Sequence, residues 1–108
     1  MRLASGIWVS AYLTRLRLAD IPAFVVRRGD ETAGAVLVKL NTLDGQARAY
    51  QRSFDLMTGD RRWVPLIEAA EPEVDASIRK QVSFDSDLWV IEVESRDGRH
   101  LLDEPGLD

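Results

Sequence analysis

An Asp-Gly turn between two alternating apolar runs constrains the fold of this chain more than any other feature. Residues 34–54 read GAVLVKLNTLDGQARAYQRSF, with the turn at Asp44-Gly45. This pattern is typical of a β-hairpin, and the side chains of a strand alternate between its two faces. One face of the second strand therefore carries four basic and aromatic side chains, which we call the Arg-Tyr row: Arg48, Tyr50, Arg52 and Phe54.

The composition is typical of one small folded domain. Of the 108 residues, 45% are hydrophobic and 30% are charged, which is enough apolar material for a core. The formal net charge of -4 disfavours nucleic acid as a partner, because phosphate binding relies on Lys and Arg. The chain has no cysteine, which excludes disulfides and thiolate chemistry. We expect a single cytoplasmic domain over residues 1–108, because no secretory signal or membrane-spanning segment is recognisable.

A helix is predicted from Ser5, as its N-cap, to about Ala19. A period of 3.6 residues puts its large apolar side chains on one face, and Pro22 then prevents the helix from continuing. The residues predicted to share that face are Trp8, Val9, Tyr12, Leu13, Leu16 and Ala19.

Four strands are predicted next, separated by turn residues such as Gly29-Asp30 and Thr58-Gly59-Asp60. Their expected ranges are 23–28, 35–41, 46–56 and 61–66. Short connections favour antiparallel neighbours, so we expect a four-stranded antiparallel meander.

A second helix with Pro72 in its first turn and an apolar stripe of Val74, Ile78 and Val82 follows a connector over residues 67–71. One or two closing strands are expected over 88–94 and 99–102, and the tail 103–108 is expected to be frayed. The predicted fold is therefore α+β, in two layers, with both helices on one face of the sheet.

Three segments together resemble a known family: GIWVSAYLTRLRL, IPAFVVRRGDETAGAVLVKLN and DLWVIEVESRDGRH. They resemble a family of small alphaproteobacterial proteins known as domain of unknown function 1491. The resemblance covers nearly the whole chain and implies a bacterial, cytoplasmic, single-domain protein. It implies no activity and no site residue, because the family has none assigned.

Candidate catalytic groups are few. His100 is the only histidine, and no G-x-S-x-G elbow accompanies it. Glu92 and Glu94 share one strand face and are the candidate acid–base pair of a carboxylate enzyme, although alternation explains them more simply as the solvent face of a half-buried strand. Asp85 and Asp87 have a D-x-D spacing, which is better explained by the end of a helix. The glycines form no phosphate-binding loop, and we expect no catalytic residue, no metal and no cofactor.

The Arg-Tyr row is the candidate binding surface, although packing explains it more simply, with the arginine stems covering apolar surface and Tyr50 and Phe54 in the core or against a helix. As a functional surface, it leaves three interpretations open. A non-enzymatic protein-interaction module, self-associating or docking on another protein, needs only exposed aromatic and Arg side chains or an open sheet edge. A single-stranded nucleic-acid surface would use the arginines on phosphates and the aromatics on bases. The carboxylate enzyme is the third interpretation. We expect the interaction module.

Overall fold

The computed structural model describes residues 3–108 and contains two helices and five strands. The helices are α1 (Ser5–Leu18) and α2 (Glu71–Phe84). The strands are β1 (Ala23–Arg27), β2 (Val36–Asn41), β3 (Gln46–Phe54), β4 (Arg61–Ala70) and β5 (Trp89–Glu94). The α+β composition of the prediction is confirmed. The N-cap of α1 is Ala4 rather than Ser5, whose hydroxyl instead donates to the carbonyl of Gly34 at 2.6 Å.

The sheet is mixed, with the order β1-β5-β2-β3-β4. The hairpin of β2 and β3 forms as predicted, and β3 continues antiparallel into β4. The four-stranded antiparallel meander is wrong, because β5 lies between β1 and β2 and runs parallel to β2. Strand β4 also continues through the expected connector to Ala70 and forms one edge of the sheet, where Pro65 is tolerated.

The loop between β1 and β2 explains how β5 comes to separate them. Its backbone closes around the start of β5: the N–H of Asp30 donates to Asp87 O at 3.0 Å, and the N–H of Trp89 donates to Ala35 O at 2.8 Å. Gly29 and Gly34 leave the space for this contact, because a Cβ at either position would lie within 2.3 Å of the Asp87 carbonyl oxygen. The sequence shows a turn here but not what the turn encloses.

The two helices lie on opposite faces of the sheet, so the two-layer arrangement is wrong. Trp8, Tyr12 and Leu16 of α1 pack in a cluster with Val38 and Ile91. On the other face, Val74 and Ile78 of α2 pack with Leu37, Ala49 and Val90. The central strands are apolar on both faces, which requires a cover on each.

The segment after β5 packs against the α1 face of the sheet. Residues 99–102 form no strand, although Leu101 and Leu102 are buried in the α1 cluster. The frayed tail is also wrong for Leu107, which is only 2% exposed and belongs to that same cluster. Apolar side chains spaced through a Gly- and Pro-containing tail are enough to fix it without regular secondary structure.

Candidate functional site

The Arg-Tyr row does not form one open surface. Tyr50 is only 8% exposed and packs in the α1 cluster, with its ring 4.7 Å from the imidazole of His100. Arg48 is half-buried, with Nε 3.3 Å from a carboxylate oxygen of Glu68. Tyr50 therefore has little surface left on which a base could stack.

The other half of the row separates into one packed and one exposed side chain. The guanidinium carbon of Arg52 lies 4.7 Å from the ring centre of Trp8 and 4.9 Å from that of Trp63. Such stacking is a favourable cation–π arrangement. Phe54, at the end of β3, is 51% exposed. The structure thus brings three of the four residues into packing contacts and leaves one in solvent.

A buried lysine on the α2 face is absent from the residues that the sequence singled out. Lys39 is only 5% exposed, and its ammonium lies 2.7 Å from a carboxylate oxygen of Glu71, 2.7 Å from one of Asp75 and 3.2 Å from one of Glu92. Asn41 also donates to Glu71 at 3.1 Å. We call Lys39, Glu71, Asp75 and Glu92 the Lys39 cluster. It ties the first turns of α2 to the centre of the sheet.

The Lys39 cluster favours the charged amine. Burial lowers the pKa of Lys39, but the hydrogen bonds to Asp75 and Glu71 and the charge of Glu92 outweigh it, so the pKa lies above its usual range. An amine held protonated is a poor base or nucleophile. The ammonium occupies the space between the carboxylates, and no group of acidic or histidine side chains within residues 3–108 is arranged to hold a metal ion.

Glu92 and His100, two of the groups named in the carboxylate-enzyme interpretation, lie on different sides of the sheet. Glu92 is paired with Lys39 on the α2 face. The imidazole of His100 lies against the ring of Tyr50 in the α1 cluster at a tilt of 55°, and its Nδ1 accepts the N–H of Leu102 at 2.9 Å. Burial lowers the pKa of His100, with the charge of Asp103 opposing that effect. A shared reaction centre would need these groups to converge.

The Asp85-Ser86-Asp87 motif ends helix α2. Asp85 is the C-cap residue, and its carboxylate accepts the backbone N–H of Asp87 at 3.0 Å. Local hydrogen bonding of this kind is typical of an Asp residue in a turn. The D-x-D spacing therefore has a structural explanation.

The outer edge of β1 is an open strand edge that carries exposed apolar side chains. Strand β1 is the last strand on its side of the sheet, and no strand within residues 3–108 pairs with its outer edge. Phe24 is 47% exposed, Val25 36% and Val26 55%. An edge strand with outward backbone N–H and C=O groups and exposed apolar side chains favours pairing with a strand of another chain.

An apolar groove adjoins this edge on the α2 face. It has a volume of about 530 Å³ and lies between β1 and α2. Val26, Val90, Ile78 and Val82 supply its apolar walls. Helix α2 packs over β3 and β4, which leaves the β1 side of this face without a helix. Val26 belongs both to this groove and to the exposed edge of β1, so the groove extends the apolar surface of that edge.

Comparisons with known proteins support these assignments of fold. A family model described as a protein of unknown function, DUF1491, matches residues 3–103. The chain belongs to the DUF1491 family. A crystal structure of a DUF1491 family protein from Caulobacter crescentus CB15 is 40% identical, with a TM-score of 0.86, and the match covers 96% of this chain and 98% of that one.

Two solution structures agree with that relationship. An NMR structure of a DUF1491 family protein from Caulobacter crescentus CB15 is 41% identical, with a TM-score of 0.83 over 97% of this chain and 96% of that one. Protein Atu0922 from A. tumefaciens is 32% identical, with a TM-score of 0.74 over 88% of this chain and 87% of that one. The resemblance to the family is thus confirmed. No curated protein matches the chain, and the DUF1491 family supplies no activity.

The sequence carries partial signals for two features that were not predicted, the buried Lys39 and the open edge of β1. A lysine inside VLVKLN indicates an amine that must find buried partners, although its partners come from distant elements. The run AFVVR predicts a strand, but only the order of the sheet makes it an edge. In the part of this DUF1491 chain that the structure describes, no helix is long and apolar enough to cross a membrane. The cytoplasmic location stays a prediction.

Proposed function

We propose that this DUF1491 protein is a non-enzymatic protein-interaction module, and that a strand of its partner pairs with the open edge of β1. The observation that carries the proposal is the unpaired edge of β1 with Phe24, Val25 and Val26 exposed along it. Strand addition derives affinity from main-chain hydrogen bonds and specificity from alternate side chains.

The backbone of β1 is available for such pairing. Glu94 donates its N–H to the carbonyl of Pro22 at 2.9 Å. Pro22 and Glu94 therefore form a hydrogen-bonded pair of the β1–β5 ladder. Hydrogen-bonded and non-hydrogen-bonded pairs alternate along an antiparallel ladder, so the Phe24–Glu92 pair, two positions along from Pro22, is hydrogen-bonded as well. Phe24 therefore directs its backbone groups towards β5. The N–H and C=O groups of Ala23 and Val25 then point outwards, away from the sheet.

The opposite edge of the sheet differs from β1 in a way that supports this choice. Strand β4 carries Pro65 within its length and the charged pair Arg61-Arg62 at its start. Proline and charged side chains are the usual protection of an edge strand against pairing. β1 has neither within Ala23–Val26, and its one charged residue is Arg27 at the end.

The two alternative interpretations find less support. A nucleic-acid surface on the Arg-Tyr row would need Tyr50 to be accessible, and it is buried. A carboxylate enzyme would need Glu92 to be free to act with Glu94, whereas Glu92 is paired with Lys39. His100, the third candidate group, lies beside Tyr50 on the other face of the sheet.

A photocrosslinking amino acid placed at Val25 in the native cell tests the proposal. We expect adducts of defined mass with protein partners, because Val25 lies at the open edge. The same amino acid at Phe54, which is more exposed than Val25 and lies on a different strand, is the control and should give none of these adducts. Equal crosslinking from the two positions, or none from Val25, would contradict a role for the β1 edge.

A further inference from the structure

We infer that the partner added at β1 is a second copy of this chain, so that two protomers form one continuous ten-stranded sheet about a two-fold axis at Phe24. The inference rests on the proposed function and adds the identity of the partner. It follows from the symmetry of the groups that the edge of β1 exposes.

The outward backbone groups of β1 are self-complementary. They belong to Ala23 and Val25, which are placed symmetrically on either side of Phe24. When two copies of β1 run antiparallel with Phe24 opposite Phe24, Ala23 of each copy faces Val25 of the other. Each of the two facing pairs can exchange two N–H···O=C bonds, so every outward donor and acceptor of Ala23 and Val25 is satisfied.

The side chains also fit this register. Phe24 pairs with Glu92 across the ladder and so lies on the α2 face of the sheet, as Lys39 does. At the axis, the two Phe24 residues form a non-hydrogen-bonded pair, in which side chains lie closest together. Each half-exposed ring would thereby gain an aromatic neighbour in place of water.

The charges at the two ends of β1 favour the same antiparallel arrangement. Arg28, which follows the strand, is ion-paired with Glu31 of the same loop but keeps a side chain that is 74% exposed, and Asp20, which precedes the strand, is exposed as well. Antiparallel pairing brings the Arg28 end of one copy to the Asp20 end of the other, twice by symmetry. A parallel pair would instead bring like charges together. The charges at the ends of β1 therefore complement those of a second, antiparallel copy.

Sedimentation velocity of the full chain from low micromolar to near-millimolar concentration measures the predicted association. We expect a reversible monomer–dimer equilibrium. Val25→Pro removes an outward N–H without removing a bond of the monomer, since proline is tolerated where the N–H of an edge strand faces solvent. Two intermolecular bonds are lost by symmetry, and we expect dimerisation to weaken by about tenfold or more.

Phe24→Lys gives a second variant, because it places two ammonium groups opposite each other at the axis. Phe54→Lys is the control for a charge introduced at a similarly exposed phenylalanine and should dimerise like the wild type. Circular dichroism verifies that each variant is folded. A wild-type chain that stays monomeric at every concentration overturns the inference, and so does a dimer that neither β1 variant weakens.

The register has its own test, since the chain contains no cysteine. Phe24→Cys introduces a single thiol whose counterpart in the second copy would be close enough for a disulfide. We expect mild oxidation to give a covalent dimer much faster than for Phe54→Cys. Equal rates would overturn the register at Phe24.

These results also separate the two proposals. A purified chain that is strictly monomeric, while Val25 crosslinks to a different protein in the cell, would refute self-association and retain the strand-addition module. A monomer without specific crosslinks at Val25 would refute both.

Discussion

Trp63 of β4 donates its indole N–H to the carbonyl oxygen of Leu107 at 2.7 Å, which ties the last residues of the chain to an edge strand. The side chain of Leu107 is buried in the α1 cluster. The same tail is held from the other side, where Arg15 of α1 donates to the carbonyl of Pro105 at 2.9 Å. The tail therefore closes one side of the core.

Loss of the Leu107 side chain should destabilise the protein although it lies in an irregular tail. Leu107→Ala removes a fully buried side chain, and we expect a loss of about 2–4 kcal/mol in the free energy of unfolding. Trp63→Phe removes only the hydrogen bond and part of the ring, with an expected loss of about 1–2 kcal/mol. Urea denaturation measures both. The exposed Leu56, truncated to Ala, is the control and should change stability little. A Leu107→Ala variant with the same free energy of unfolding as the wild type would contradict the packing of the tail in the core.

Gly34→Ala should lower the stability of the protein, because the added methyl group would clash where the β1–β2 loop encloses the start of β5. A Cβ at residue 34 would lie 2.3 Å from Asp87 O and 2.8 Å from Asp30 N, and these are backbone atoms that cannot turn aside. The matched control is Gly45→Ala, where no atom beyond the adjoining residues lies within 4 Å but the φ of +87° is unfavourable for alanine. Backbone strain at Gly45 costs about 1–2 kcal/mol, and thermal unfolding should show a larger loss for Gly34→Ala. A smaller loss at Gly34 would mean that the loop relaxes freely.

Lys39→Met should destabilise the protein by leaving the carboxylates of Glu71, Asp75 and Glu92 without their cation. Removal of one partner from a buried ion pair costs about 3–5 kcal/mol. Since two of the three carboxylates are a third or more exposed, we expect the lower end of that range. Adding Glu92→Gln should recover part of the loss, because it removes the most buried unpaired charge. Additive effects of the two substitutions in chemical denaturation would show that Lys39 and Glu92 do not interact.

The Lys39 cluster should also make stability depend on alkaline pH. The pKa of Lys39 is raised on folding, because hydrogen bonds to Asp75 and Glu71 outweigh its burial. The stabilisation is fully present below the unfolded-state value of 10.5 and is lost as the pH rises above it. The difference in unfolding free energy between the wild type and Lys39→Met should therefore narrow above that pH. A constant difference across this range would indicate that the amine is not preferentially charged in the folded state.

Substitutions of Tyr50 distinguish a packing role of this side chain from a role in nucleic-acid binding. Tyr50→Ala should lower the free energy of unfolding by about 3–5 kcal/mol, because the ring packs in the α1 cluster beside His100. Tyr50→Phe keeps the ring and should be much milder. Fluorescence anisotropy with mixed-sequence single strands at low salt should show no binding by the wild type. Salt-sensitive binding that Arg48→Ala or Arg52→Ala weakens would instead restore the nucleic-acid interpretation.

The sequence by itself determined the local elements. The Asp44-Gly45 turn and the alternation around it specify the β2–β3 hairpin, and the spacing of Trp8, Tyr12 and Leu16 specifies the buried face of α1. These signals are local because each depends on residues only a few positions apart. The Arg-Tyr row lies on β3, as its alternation predicts, but which of its side chains are buried depends on what the rest of the chain packs over them.

Only the tertiary structure decided the order of the sheet, the side on which each helix packs and the surroundings of Lys39. Insertion of β5 beside β2 depends on contacts between residues more than 50 positions apart, and no short-range pattern encodes the pairing of two strands that lack a connecting turn. Once β5 takes that place, β1 becomes an edge and α2 must cover the second apolar face. The open strand proposed as the interaction surface is therefore a consequence of long-range pairing, although its apolar sequence, AFVVR, is local.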